Sequence, residues 1–195
     1  MSYRGLDFAY DGASPHLGGS VKVGDPFTFC PSVWDYAIQR FGIASVLDLG
    51  SGAGNAALFF HRRGLAVLAV DGFRPSVLSS IFPAIMLDLT RQAVTTRVDL
   101  VHCQEVAEHI EERYLDNLLN SMLCGKMIIM THALPGQSGM HHVNLQPSEY
   151  WIHQLEKRNA IYLEEDTRRI RKLAEADGAI YMQQSGLVFA NQARL

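Results

Sequence analysis

The sequence predicts an α/β fold, a doubly wound and mostly parallel sheet of seven strands with helices on both faces and an antiparallel C-terminal strand. Short apolar runs that fit buried strands alternate with segments of helical periodicity along most of the 195 residues. The run at 126–130 is apolar almost throughout, as expected of a strand covered on both faces. We therefore expect a single domain over residues 32–195, preceded by an arm at 1–31.

Composition narrows the class of protein. Apolar residues make up 48% of the chain and charged residues 19%, which is typical of a globular domain and not of a disordered chain. The net charge of -3 gives no electrostatic reason to expect binding to nucleic acid or to an anionic membrane. Because no secretory signal and no apolar run near the roughly 20 residues of a membrane helix is visible, we expect a cytoplasmic protein with no membrane partner.

The elements are predicted in chain order from these patterns. The arm at 1–31 is rich in turn residues, and we interpret it as a possible lid. Helices are predicted at 32–40, after the glycine turn at 50–54, and at 75–80, 111–123, 147–158 and 164–176. Strands are predicted at 45–49, 66–70, 84–87, 99–103 and 126–130, with candidate closing strands at 160–163, 180–182 and 186–190.

The stretch at 46–54 is the strongest functional signal in the chain. A buried strand containing Asp48 ends in a turn with glycines at 50, 52 and 54, and Asp71 ends the next strand. Strand, glycine turn, helix, strand and acid are typical of a nucleotide-type cofactor site. The glycine spacing is tighter than in the dinucleotide fingerprint, and an acid precedes the first glycine, which favours a cofactor without phosphates.

These motifs resemble those of the class I S-adenosylmethionine-dependent methyltransferases. Residues 46–54 are similar to motif I of that family, Asp71 to its acid after strand two, and Asp88 to its acid after strand three. The segment Cys-Gln-Glu-Val-Ala-Glu-His-Ile at 103–110 is similar to the motif after strand four. The resemblance covers roughly residues 30–190, and it implies a Rossmann-like methyltransferase domain at 32–195 that binds S-adenosylmethionine.

The resemblance also implies roles for individual residues. Asp48 would accept a hydrogen bond from the cofactor amino group, Asp71 would accept from the ribose hydroxyls, and Asp88 from the adenine amine. Glycines in the turn let the backbone approach the methionine part of the cofactor closely. The predicted cofactor-binding residues are Asp48, Gly50, Gly52, Gly54, Asp71, Gly72, Asp88 and Gln104.

The methyl acceptor is predicted to lie beside the ends of strands four and five. The favoured interpretation is O-methylation of a small molecule, with Glu105, His109 and His142 as catalytic residues and with no metal. A histidine, either His109 or one of the pair His141 and His142, would act as the general base. The residues considered for this side are Gln104, Glu105, Glu108, His109, His132, His141 and His142.

Three alternatives stay open at this point. Glu105, Glu108, His109 and His142 together resemble the metal site of the small-RNA 3′-end 2′-O-methyltransferases. The chain departs from that group because its composition provides no basic RNA-binding surface, and nucleic acid is not an expected partner. A nicotinamide-dependent oxidoreductase shares the architecture, and a non-catalytic subunit could keep the cofactor motifs. The oligomeric state is not predicted.

Overall fold

The computed structural model describes residues 2–3, 6–20 and 23–194. The strands of this part of the chain are β1 (Ser2–Tyr3), β2 (Leu6–Tyr10), β3 (Gly18–Ser20), β4 (Ser45–Leu49), β5 (Ala66–Asp71), β6 (Ala84–Met86), β7 (Val98–Cys103), β8 (Gly125–Met130), β9 (Ala160–Tyr162) and β10 (Leu187–Asn191). The α-helices are α1 (Pro31–Phe41), α2 (Asn55–Arg62), α3 (Arg74–Ser79), α4 (Leu115–Met122), α5 (Ser148–Glu156), α6 (Glu164–Asp177) and α7 (Ile180–Ser185).

The main sheet has seven strands in the order β6-β5-β4-β7-β8-β10-β9. Strands β4 to β8 pair in parallel, and β10 pairs antiparallel with both β8 and β9. Strand order reverses at β4, where the chain moves out to β6 and then returns to β7. This arrangement confirms the predicted fold class, including its antiparallel C-terminal strand.

Helices cover both faces of the sheet because buried strand residues alternate between two apolar clusters. Leu47, Val101, Ile128 and Phe189 face the cluster that includes α4 and α5. Their neighbours in the same strands face the other cluster, with α1, α2, α6 and α7. A strand that is buried on both sides needs apolar residues at every position, which is why these runs are continuous and not alternating.

One predicted strand is wrong. The run at 180–182 forms the start of helix α7 and not a closing strand. Tyr181, Met182 and Ser185 are its buried residues, and this spacing places them on one helical face. A three-residue apolar run does not distinguish a strand from a helix by its pattern alone. The closing strands at the C-terminus are β9 and β10.

The N-terminal arm contains structure that the sequence did not predict. Strands β1, β2 and β3 form a small antiparallel sheet separate from the main one. The later part of the arm is attached to the domain, since Tyr181 donates a hydrogen bond to Asp25 and the Phe29 ring packs edge-on against Trp34. The three cysteines are buried free thiols. None of the helices in the described ranges is long and apolar enough to cross a membrane.

Candidate functional site

A cavity of about 820 Å³ lies at the carboxyl ends of β4, β5 and β7, beside the point where strand order reverses. Parallel α/β sheets bind their ligands at this position, because loops diverge there and leave a crevice. The crevice is lined by the glycine turn after β4, the segments after β5, β6 and β7, the N-terminal arm and the loop after β8. Every predicted site residue except Gly54 contributes to its lining.

The glycine turn forms one wall of the cavity, and its backbone follows from the residue types. The amides of Gly50 and Ser51 both donate to the carbonyl of Val70 in the neighbouring strand, at 2.8 and 3.0 Å. Gly50 has a φ of +70°, and a Cβ there would overlap the Val106 side chain. Gly54 lies outside the cavity lining: it is the N-cap residue of α2, and a Cβ there would overlap the Ser80 side chain.

Asp71 occupies the end of β5 and faces this turn. Its carboxylate accepts one hydrogen bond from the Gly52 amide at 2.8 Å and one from the Phe73 amide at 2.7 Å. Burial raises the pKa of the Asp71 carboxyl above its ordinary value, against the effect of these two bonds. Each oxygen keeps a further lone pair, so a pair of vicinal hydroxyls in the cavity would find two acceptors.

The Asp48 side chain is hydrogen-bonded to His102, which in turn is hydrogen-bonded to Trp34, and the sequence motifs include neither residue. Its Oδ1 lies 2.7 Å from Nδ1 of His102, and Nε2 of His102 lies 3.1 Å from the indole nitrogen of Trp34. The other oxygen of Asp48, Oδ2, is buried and has no hydrogen-bond partner among the described residues. His102 follows the buried apolar pair Leu100 and Val101 in β7, and a polar residue in such a run is the signal that could have identified it. Ser51 has a buried and unpartnered hydroxyl in the same part of the described lining.

Asp88 follows β6 and contacts the N-terminal arm. It accepts hydrogen bonds from the amide and hydroxyl of Thr90, and both of its oxygens lie 3.2 Å from Nε2 of His16. Burial opposes ionisation here, but the bonds from Thr90 and His16 outweigh it and lower the pKa of the Asp88 carboxyl. Leu17 of the arm covers Gly72, where a Cβ would lie 2.7 Å from the leucine methyl.

The segment after β7 forms the opposite wall. Gln104 points its amide at Cys30, with Nε2 3.6 Å from the sulfur. Glu105 has a φ of +52°, a backbone conformation that costs a non-glycine residue roughly 1–3 kcal/mol. Thr131 stabilises this turn, since its hydroxyl accepts from the Glu105 amide at 2.9 Å and donates to the Glu105 carboxylate at 2.8 Å.

Three further side chains form a compact group on this wall. Glu108, His109 and His142 each present one donor atom, and these atoms all lie within 4.8 Å of one another. The Glu108 side chain is fully buried, and its carboxyl lies close to that of Glu105. Burial, and then the nearby Glu105 carboxyl, raise the pKa of Glu108 well above its ordinary value. A buried carboxyl is costly to ionise, and a cation or a hydrogen-bond donor bound beside it would stabilise its charged form.

His142 reaches this group because the loop after β8 is attached to the backbone of Glu108. The Glu108 carbonyl accepts from the amides of Val143 and Asn144, at 3.0 and 3.1 Å. Nδ1 of His142 lies 3.1 Å from the Gln137 carbonyl, so Nδ1 carries the proton and Nε2 has a free lone pair. Burial lowers the pKa of His142, and burial with the neighbouring His142 lowers the pKa of His109 to about 4.

Two histidines considered for the acceptor side have other surroundings. His132 is buried outside the cavity lining, with Nδ1 3.2 Å from the Ala133 carbonyl and Nε2 3.1 Å from the Ser148 hydroxyl. Both of its nitrogens are therefore satisfied by structural contacts. His141 also lies outside the lining, and its φ of +51° belongs to the bend that turns His142 inward.

The lining of the cavity is rich in carboxyl groups. Among the described residues that line it there is no lysine and no arginine. Seven lining residues have carboxyl groups: Asp25, Asp48, Asp71, Asp88, Glu105, Glu108 and Asp177. Such a lining favours cationic or neutral ligands and disfavours phosphates, because nothing in the described lining offers a permanent positive charge to pair with them.

Solved structures of similar fold were found, although no family model and no curated protein matches the chain. An S-adenosylmethionine-dependent methyltransferase from Archaeoglobus fulgidus has a TM-score of 0.55 and 16% identity, over 84% of this chain and 94% of that one. The plantazolicin methyltransferase BpumL, in complex with SAH, has a TM-score of 0.57 and 16% identity, over 86% and 85%. The chain has the class I methyltransferase fold.

A third structure, the methyltransferase domain of the bacterial protein CtHen1-CN, has a TM-score of 0.53 and 14% identity, over 68% of this chain and 87% of that one. These identities are low, and folds of this kind support several chemistries, so the shared fold does not specify an activity. The resemblance seen in the motifs at 46–54, 71, 88 and 103–110 is confirmed as a resemblance of fold.

Proposed function

We propose that this protein is a methyltransferase that transfers a methyl group from S-adenosylmethionine to an oxygen atom of a small-molecule acceptor. The observation that carries the proposal is the unpartnered Oδ2 of buried Asp48 in a cavity whose described lining has no lysine or arginine. S-adenosylmethionine has a cationic sulfonium and an ammonium group, so its charges complement this lining. When bound, it supplies an activated methyl group at the sulfonium.

The residues of the glycine-turn side, which we define as Asp48, the turn at 50–54 and Asp71, fit the parts of this cofactor. Asp71 has acceptor positions left for two ribose hydroxyls beyond its two backbone donors. Asp48 offers Oδ2 to the ammonium group, and the hydroxyl of Ser51, unpartnered among the described residues, can donate to the cofactor carboxylate. Asp88 has lone pairs for the adenine amine next to His16.

The histidine side, defined as Glu105, Glu108, His109 and His142, would receive the acceptor. Removing the proton of a hydroxyl requires a base with an available lone pair and a pKa near the working pH. His142 meets the first condition at Nε2, because Nδ1 donates to Gln137. With a pKa of about 4, His109 is a weak base, and its effect on the reaction is to shape the site beside His142. The residue we propose as the base is therefore His142.

The carboxyl-rich lining of the cavity also argues against a nicotinamide-dependent oxidoreductase. A nicotinamide dinucleotide has a pyrophosphate, which needs amide donors or basic side chains around it. Here Gly52 already donates its amide to Asp71, and carboxyl groups surround the turn. We therefore expect NADH to bind far more weakly than S-adenosylmethionine.

Calorimetric titration is the direct test of cofactor choice. We expect S-adenosylmethionine and S-adenosylhomocysteine to bind with dissociation constants below about 10⁻⁴ M, which corresponds to about 5.5 kcal/mol. NADH, followed by its fluorescence, should not bind at that concentration. Absence of binding by either S-adenosyl ligand at about 10⁻⁴ M would overturn the proposal. Mass spectrometry of methyl transfer to a panel of phenols and aliphatic alcohols then tests the acceptor class.

A second candidate function is a metal-dependent 2′-O-methyltransferase, and one observation favours it. The grouping of Glu108, His109 and His142 within 4.8 Å offers one oxygen and two neutral nitrogens, a mixed set that suits a divalent transition metal. Glu105 is the fourth residue of the resemblance to that metal site, and its carboxylate accepts a hydrogen bond from the Thr131 hydroxyl. A metal there would polarise an acceptor hydroxyl and lower its pKa.

Titration with Mn²⁺ and Zn²⁺ separates the two candidates. Under the second, the native protein binds one ion tightly, and the Glu108→Gln and His142→Ala variants lose that affinity. His153→Ala, a change at an exposed histidine on α5, is the matched control and should bind as the native protein does. Under the first candidate, methyl transfer continues in excess chelator. Transfer to a small-RNA 3′ end that stops with chelator would support the second.

A further inference from the structure

Three buried side chains from α1, β7 and β4 form one chain of hydrogen bonds that ends at the cavity. The indole nitrogen of Trp34 lies 3.1 Å from Nε2 of His102, and Nδ1 of His102 lies 2.7 Å from Oδ1 of Asp48. All three residues are at most 2% exposed. We propose that Trp34 and His102 are positioning residues that hold the Asp48 carboxylate in one orientation and thereby make the site selective for a ligand with an amino group. The inference rests on the proposed function.

The direction of every bond in the chain follows from donor chemistry. An indole N–H can only donate, so Nε2 of His102 accepts and carries no proton. The proton of the neutral ring is therefore on Nδ1, which donates it to Oδ1 of Asp48. Trp34 fixes the tautomer of His102 in this way, and the tautomer fixes which oxygen of Asp48 is occupied.

This hydrogen-bond chain is rigid because of the register of two strands and the packing of the Trp34 ring. Asp48 and His102 are directly paired positions in neighbouring parallel strands, so their side chains leave the sheet on the same face. The Trp34 ring contacts the Phe59 and Phe60 rings, with centroids 5.0 and 5.6 Å away. An indole enclosed by aromatic rings has little freedom to turn, and its N–H direction is correspondingly constrained.

The consequence is an acceptor held in a fixed place. With Oδ1 engaged by His102, Oδ2 is the oxygen of Asp48 whose lone pairs are all open to a ligand, and it has no partner among the described residues. A buried carboxylate oxygen without a partner costs free energy, which an ammonium group would recover as a charge-assisted hydrogen bond. The hydrogen-bond chain does not relay protons, because it ends at the indole of Trp34, which does not give up its proton in water.

The test compares two ligands on a set of variants. S-adenosylhomocysteine and its analogue with hydrogen in place of the α-amino group are titrated calorimetrically into each protein. The native protein should prefer the amino ligand by about 100-fold, as for a hydrogen bond between charged groups. In His102→Leu this preference should fall to about 10-fold or less, because the carboxylate is free to turn. His102→Asn, whose amide can replace Nδ1–H as a donor, should restore most of it.

Two further variants complete the design. Trp34→Phe keeps a ring but removes the donor, so its preference should lie between those of the native protein and His102→Leu. His153→Leu, at an exposed position on α5, is the matched control and should keep the native preference. In the ligand-free protein, ¹⁵N spectra of the ring should show His102 protonated at Nδ1, and Trp34→Phe should give a mixture of tautomers. This readout requires no ligand.

The outcomes separate the inference from the proposed function. If the native protein does not bind S-adenosylhomocysteine at all, the proposed function fails, and this inference fails with it. If it binds, but the ligand preference is unchanged in His102→Leu, the positioning role alone is overturned. Should His102→Leu not fold, Trp34→Phe and the tautomer decide the same question: a proton on Nε2 of His102 would overturn the inference.

Discussion

The glycine-turn side and the histidine side face each other across one cavity, yet they are built differently. On the glycine-turn side, Asp48 and Asp71 stand at the ends of adjacent strands, and Asp71 is fixed by two backbone amides. On the histidine side, Glu105 has a positive φ, as does His141 next to His142, and the fully buried carboxyl of Glu108 lies close to that of Glu105.

This contrast shows where backbone strain is concentrated. The glycine-turn side uses glycine where the backbone is left-handed, so its backbone strain is small, and its cost is the unpartnered Oδ2 of Asp48. The histidine side adds a left-handed conformation at Glu105 to a fully buried carboxyl at Glu108, and each of these lowers stability. Costly arrangements of this kind persist where they serve binding or catalysis, and the predictions below test the contrast between the two sides.

Asp71→Ala should change cofactor affinity more than any other substitution considered. The variant loses the acceptors for both ribose hydroxyls, and the dissociation constant of S-adenosylhomocysteine should rise about 100-fold, or about 2.7 kcal/mol, by calorimetry. Asp35→Ala, which removes an acid that pairs with Arg63 on the outer surface of α1, is the control and should bind normally. An affinity within about threefold of the native value in Asp71→Ala would contradict the assignment.

Gly50→Ala should destabilise the fold through left-handed backbone strain and through overlap with the Val106 side chain. The variant Gly42→Ala separates these two effects. Gly42 has a similar φ of +63° with open space around it, so Gly42→Ala reports left-handed strain alone, about 1 kcal/mol. At Gly50 the methyl group also overlaps Val106, which should add about 2 kcal/mol in urea unfolding. Adding Val106→Ala should recover part of that excess, and equal losses at the two glycines would refute the overlap.

Glu108→Gln should have a smaller effect, and in the opposite direction, because it should increase stability. The pKa of Glu108 is raised in the folded protein above its ordinary value of 4.5, so the folded state holds this proton more tightly than the unfolded state. The stabilising contribution of the proton is therefore full below pH 4.5 and declines as the pH rises toward the raised value. In chelator, the variant should exceed the native protein by about 1 kcal/mol more at about pH 8 than at about pH 4.

Urea unfolding at the two pH values measures this difference. Glu165→Gln, at an exposed position on α6, is the matched control and should show no such pH dependence. If Glu108→Gln instead changes the free energy of unfolding by the same amount at both pH values, ionisation of the buried carboxyl does not lower stability. The histidine side would then resemble the glycine-turn side, and the contrast between them would disappear.

Much of the fold and the glycine-turn side of the cavity could be predicted from the sequence, because the patterns that indicate them are local. The continuous apolar run of β8 indicates a strand covered on both faces, and the turn at 50–54 combines a strand end, left-handed glycines and a helix start within a few residues. The run at 180–182 predicts a strand where helix α7 begins, because so short an apolar run does not show a period.

The remaining features depend on contacts between distant segments. Whether His141 or His142 faces the cavity depends on the amides of Val143 and Asn144, which bond the Glu108 carbonyl and attach the loop after β8 to that wall. His102 becomes part of the site only because β7 lies beside β4 in a register that pairs it with Asp48.

Local and long-range interactions therefore specify different parts of this protein. The amino-acid sequence alone specifies the strand ends and the glycine turn, since local sterics and burial patterns are sufficient to define them. Which polar groups meet, and which stay unpartnered among the described residues, follows from the folded arrangement, because strand register and loop attachment set those distances.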